Sequence, residues 1–71
     1  MSESLNLHAA ECLEAAAELH RLAAEFSSLG NACAGAKYTA RAHAEAERAL
    51  NVSRAASASY ESQIPIHAKV A

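Results

Sequence analysis

The stretch SSLGNACAGAKY, residues 27–38, decides how this chain folds, because it interrupts a sequence that is otherwise dense in helix-forming residues. Gly30 suits the left-handed backbone conformation that follows the last turn of a helix. Asn31 belongs to the residue types that best cap the first turn of a helix. Together they predict a link of two residues between two helices. Helices joined by so short a link run antiparallel, so the sequence predicts an all-α helical hairpin.

The segments on both sides of this turn have the composition of long helices. Residues 5–29 contain neither Gly nor Pro and are rich in Ala, Leu and Glu, which favour helix. Residues 32–61 have a similar pattern with smaller side chains. Pro65 disfavours helix for the residue before it, so residues 63–71 are expected to form an extended or disordered tail. We therefore predict one hairpin domain, residues 1–62.

A seven-residue repeat predicts which helix faces meet. Leu, Cys and Phe recur at every seventh position of the first helix, and one Gly and three Ala do so in the second. A turn at residues 30–31 sets each larger side chain opposite a small one, an arrangement that fills space without strain. The predicted hairpin core consists of Leu5, Cys12, Leu19, Phe26, Gly35, Ala42, Ala49 and Ala56.

A second register, shifted by about one helical turn, is the alternative. It sets Ala9, Ala16 and Ala23 against Ala56, Ala49 and Ala42. It also brings glutamates of the first helix near arginines of the second, but such pairs at an exposed rim contribute roughly 0–1 kcal/mol. Badly packed Leu and Phe side chains cost roughly 2–5 kcal/mol each. We therefore expect the register that opposes large and small residues.

A single hairpin does not cover all the apolar side chains of this chain. A second heptad column lies beside the core column of the first helix, and Leu13 and Leu50 lie on the other side. A chain of 71 residues also gains little stability from one small core. We therefore expect a homodimer that forms a four-helix bundle. The predicted dimer interface comprises Ala15, Leu22, Leu29, Tyr38 and Val52.

Composition and charge exclude several classes of function. The net charge is −2, which argues against strong attraction to nucleic acids or membrane surfaces. The chain begins with acidic residues where a secretory signal has basic ones, and no apolar run approaches the length of a membrane span. Two cysteines are too few for a disulfide scaffold. We therefore expect a cytoplasmic protein without a membrane partner.

The sequence offers no residues for catalysis. Cys33 falls in the first turn of the second helix, where a thiol can be activated, but neither His nor an acid lies nearby in sequence to act as its base. Phosphate-binding glycine loops, zinc-protease motifs and nucleophile elbows are absent from the sequence. The chain is therefore expected not to be an enzyme.

His8 and Cys12 are the candidate metal ligands. Their i, i+4 spacing lets both bind one ion from a single helix face. This pair is half of a tetrahedral site, and two copies of the chain would supply a Cys2His2 set for zinc, or thiolates for copper(I). The simpler interpretation makes Cys12 a small core residue and His8 a histidine at the rim.

Three functional hypotheses follow. The first is a self-associating hairpin that acts through protein interactions, as an adaptor, regulator or assembly factor, without a cofactor. The second is a metal-binding or metal-sensing four-helix bundle that uses His8 and Cys12. The third is a weak RNA-binding hairpin, in which Lys37, Arg41 and Arg48 of the second helix contact phosphates. Glutamates interrupt that basic face, and the first hypothesis is the one we favour.

Overall fold

The computed structural model describes residues 2–63, which form two α-helices packed against each other as an antiparallel hairpin. Helix α1 spans Ser2–Ser28 and helix α2 spans Ala32–Gln63. This part of the chain contains no β-strand. The predicted all-α hairpin is confirmed.

The helix ends differ by a few residues from those predicted. Helix α1 begins three residues before position 5, and Glu3 in its first turn interacts favourably with the helix dipole. Helix α2 continues to Gln63, a position we had assigned to the tail. The hydroxyl of Ser62 donates to the carbonyl of Ser59 at 2.8 Å, which is compatible with helix although the apolar pattern has faded there. The rest of the predicted tail, residues 64–71, lies outside the described residues.

The turn has the geometry that its two residues predict. Gly30 has a φ of 83°, in the left-handed region that favours glycine. Its amide donates to the carbonyl of Ser27 at 3.0 Å, and the amide of Asn31 donates to that of Phe26 at 2.8 Å, which closes a Schellman motif. The side-chain oxygen of Asn31 then accepts from the amide of Ala34 at 3.1 Å and caps α2. The chain thus reverses within the three residues between the helices, Leu29, Gly30 and Asn31, because α1 ends one residue earlier than predicted.

The fully covered core is built from small side chains. Its members on α1 and α2 are Ala9, Cys12, Ala16, Ala23, Gly35, Ala42, Ala49 and Ala56. Leu5, Leu19 and Phe26, which we predicted to lie in the core, are only partly covered. Two closely approaching helices leave room only for small residues along their line of contact, so larger side chains lie beside that line.

The two helices lie close together at Gly35. A Cβ built there would lie 2.7 Å from the hydroxyl of Ser27 and 3.3 Å from the carbonyl oxygen of Ala23. Gly35 therefore faces the turn of α1 that contains Phe26, as the predicted register requires. The Phe26 ring does not cover Gly35 but stacks on Tyr38, with ring centroids 5.4 Å apart. The buried alanines of α1, Ala9, Ala16 and Ala23, are those that the alternative register sets against α2. They lie beside the column of Cys12, so both columns of α1 contribute to the contact between the helices.

Candidate interaction surfaces

One edge of the hairpin carries the residues predicted to form a dimer interface, and we call it the leucine edge: Ala15, Leu22, Leu29, Tyr38 and Val52. The stacking of Tyr38 on Phe26 places the Tyr38 column of α2 beside this side of α1. Leu29 is 75 % exposed and Ala15 is exposed. Leu22, Tyr38 and Val52 are half-buried. The leucine edge is therefore an apolar surface that the hairpin alone covers incompletely.

The two helices border the leucine edge with opposite charges. On α1 the acidic border consists of Glu11, Glu18 and Glu25, which lie three or four residues from the apolar column. On α2 the guanidinium carbon of Arg41 lies 5.5 Å from the ring centroid of Tyr38, so this cation covers part of the edge. Arg48 continues the basic border. The leucine edge thus has an acidic side and a basic side.

Two charged pairs, one within each helix, lie along these borders. Arg21 lies 3.6 Å from Glu18, and Arg48 lies 3.3 Å from Glu45. Both arginines and Glu18 are well exposed, so these pairs contribute little to stability. Glu45 lies in the same column of α2 as Tyr38 and Val52, so the leucine edge itself contains one acid. Its side chain is only 24 % exposed and is paired with Arg48.

From Asn6 onward the opposite edge carries no Asp, Glu, Lys or Arg, although Glu3 lies one heptad before Ala10. We call it the uncharged edge: Asn6, Ala10, Leu13, Ala17, His20, Ala24 and Ser27 of α1 with Ala36, Thr39, His43, Ala46, Leu50, Ser53, Ser57 and Tyr60 of α2. Three contacts define it: Asn6 donates to the hydroxyl of Tyr60 at 3.4 Å, the His20 and His43 rings meet, and Leu13 and Leu50 border a common groove. Our sequence reasoning noted the two leucines but missed the absence of charge. The sequence already shows uncharged residues at every seventh position of the first helix from Asn6 to Ser27.

A shallow groove lies on the uncharged edge near the end formed by the start of α1. Its volume is about 490 Å³, and alanines form its floor. Leu13 and Leu50 stand at its sides and remain 56 % and 50 % exposed. The groove contains no ionisable group, so it offers apolar contact and no acid–base chemistry.

The two predicted metal ligands differ in burial. Cys12 is 4 % exposed and lies between the helices, whereas the side chain of His8 is 54 % exposed. The Nδ1 atom of His8 lies 3.8 Å from a carboxylate oxygen of Glu11. Among residues 2–63 there is no cluster of three or more His, Cys, Asp or Glu side chains with the geometry to hold a metal ion. Cys12 thus serves as a packing residue of the hairpin, and Cys33 is exposed at the start of α2.

Comparison of the chain with known protein families, with curated proteins and with solved structures gives no match. Neither α1 nor α2 has the combination of length and hydropathy that a membrane-spanning helix needs. Any proposal of function therefore rests on the fold and on the chemistry of the surface.

Proposed function

We propose that this protein is a self-associating helical-hairpin interaction protein, which pairs through its leucine edge into a four-helix bundle and acts as an adaptor, regulator or assembly factor rather than as an enzyme. The observation that carries the proposal is that small side chains form the contact between the helices, while large apolar side chains lie outside it. The contact between α1 and α2 is made of alanine, cysteine and glycine, while Leu29 is 75 % exposed. Burying large side chains is what stabilises small domains, so this hairpin gains most from a second copy.

Charge favours one arrangement of the two copies. With a two-fold axis parallel to the helices, α1 of one copy lies beside α2 of the other. The acidic border of each α1 then meets the basic border of the partner's α2. With an axis perpendicular to the helices, α1 lies beside α1, and like charges face each other. We therefore propose the parallel axis, in which every neighbouring pair of helices is antiparallel.

The register within one hairpin predicts which charges meet in this dimer. Gly35 packs between Ala23 and Ser27, and each step forward along α2 corresponds to a step back along α1. By this count Arg41 lies near the level of Leu19, within one helical turn of Glu18. A two-fold axis parallel to the helices preserves these levels, so Glu18 of one copy approaches Arg41 of the other.

Reversing either charge should weaken the dimer, and reversing both should restore it. We expect Glu18→Lys and Arg41→Glu each to raise the dimer dissociation constant roughly 3- to 10-fold, because each sets like charges across the interface. The double variant should regain most of the affinity, since the pair is rebuilt with opposite polarity. Analytical ultracentrifugation over a range of concentrations measures these constants.

Glu14→Lys is the matched control, since Glu14 is exposed on the first helix away from the leucine edge. It changes the net charge by the same amount as Glu18→Lys and should leave the dimer constant unchanged. Equal effects of Glu14→Lys and Glu18→Lys on the dimer constant would contradict the proposed arrangement. So would a double variant that dimerises more weakly than both single variants.

No contact among residues 2–63 favours either of the two other hypotheses. The basic residues of α2 that would meet RNA are engaged locally, Arg41 with Tyr38 and Arg48 with Glu45. Binding of a metal by His8 and Cys12 would require the Cys12 thiol to leave the hairpin core. Both hypotheses stay predictions from the sequence.

A further inference from the structure

His20 and His43 form a histidine pair that bridges the two helices. His20 projects from α1 and His43 from α2, and their ring centroids lie 6.0 Å apart with an interplanar angle of 65°. Both residues are exposed, so an ion can reach them from solvent. They lie on the uncharged edge, away from the leucine edge and from the pair His8 and Cys12.

The spacing of the two rings suits a shared metal ion. An imidazole nitrogen binds zinc at about 2.0–2.1 Å, and two imidazoles on one ion then have ring centres roughly 5–6 Å apart, depending on the bond angle. The separation of 6.0 Å between His20 and His43 is at the upper end of this range. Because both side chains are exposed, each ring can turn one nitrogen toward a common ion.

The surroundings of the pair also suit a cation. No Lys or Arg lies on the uncharged edge. The nearest cation along α1, Arg21, lies 3.6 Å from Glu18, which partly neutralises it. On α2, Glu47 follows His43 by one helical turn and adds negative charge on the outer side. Neither charge repulsion nor an adjacent ammonium group therefore opposes binding of a divalent ion.

We propose that His20 and His43 form an interhelical binding site for a divalent transition-metal ion of the zinc, copper and nickel class, which favours imidazole ligands. Each helix supplies one ligand, so the ion binds the folded hairpin better than the unfolded chain and clamps α1 to α2. Water fills the remaining coordination positions, which makes this an open, exchangeable site. The site uses residues of one hairpin and does not depend on self-association.

Zinc should therefore raise the melting temperature of the protein. We expect a rise of roughly 5–10 °C at saturating zinc. Circular dichroism on chelator-treated protein without a histidine tag measures this rise. His20→Ala and His43→Ala should each abolish the rise, because a single imidazole no longer links the helices. Both positions are exposed and alanine favours helix, so these variants should fold.

His8→Ala distinguishes this site from the other predicted ligand pair, His8 and Cys12, because it removes an exposed histidine of α1 and leaves His20 and His43 in place. It should respond to zinc as the unaltered chain does. Calorimetric titration with zinc gives an independent measurement, in which His20→Ala should lose most of the binding heat. An unaltered chain that does not respond to zinc, or a response that survives in both His20→Ala and His43→Ala, would overturn the proposal.

Discussion

Gly35→Leu should lower the free energy of unfolding by about 3 kcal/mol or more, which is most of the stability expected of so small a domain. The cause is the close approach of α1 and α2 at this position. Even a Cβ at this position would lie 2.7 Å from the Ser27 hydroxyl and 3.3 Å from the backbone oxygen of Ala23. The hydroxyl can rotate away from a methyl group, but a leucine side chain can be accommodated only if the helices move apart. Urea denaturation followed by circular dichroism measures the loss.

Ala36→Leu is the control for this substitution. Ala36 is the next residue of α2 and is exposed, so leucine there should change stability by no more than about 0.5 kcal/mol. If Gly35→Leu proved as harmless as Ala36→Leu, the helices would not meet at Gly35, and the shifted register with a longer loop would become the better description.

Leu22→Glu should dissociate the dimer, with a loss of affinity of about 100-fold or more, and should lower the helix content. In the proposed bundle this half-buried leucine lies between the two copies, where a carboxylate would lose water without gaining a partner. The monomer left behind retains only its alanine core, so it unfolds more readily. Sedimentation equilibrium measures the affinity, and circular dichroism measures the helix content.

Leu13→Glu is the matched control on the other side of the hairpin. Leu13 is 56 % exposed at the groove of the uncharged edge, and the same charge there should leave the dimer intact. The reverse result, in which Leu13→Glu dissociates the dimer and Leu22→Glu does not, would assign the interface to the uncharged edge.

The fold could be predicted because its deciding signals are local. Gly30 and Asn31 specify a helix end and a helix start through their own backbone and side-chain chemistry, and the structure shows both hydrogen-bonding patterns. The predominance of small residues along the contact could also be inferred from the repeat of Gly35, Ala42 and Ala49. The partial exposure of Leu19 and Phe26 could not, because periodicity assigns a residue to a face but does not give the distance between helix axes.

The surfaces were harder to predict than the hairpin. The spacing of Leu22 and Leu29 identifies an apolar column, but the interface between two copies also depends on the symmetry axis and on the charges beside that column. We did not predict the pairing of His20 with His43, because the two residues belong to different helices and lie outside the core columns. Their encounter follows only from the register and crossing of the helices. The lack of charge along Leu13 and Leu50 was a signal that a wider heptad analysis would have found.

Self-association is the central claim, and the molar mass of the native protein tests it most directly. Size-exclusion chromatography coupled to light scattering, on the unaltered chain at micromolar concentration, should give the mass of two chains of 7.4 kDa each. Circular dichroism of the same fraction should show a helical protein. A stably folded, helical species with the mass of one 7.4 kDa chain would contradict the account.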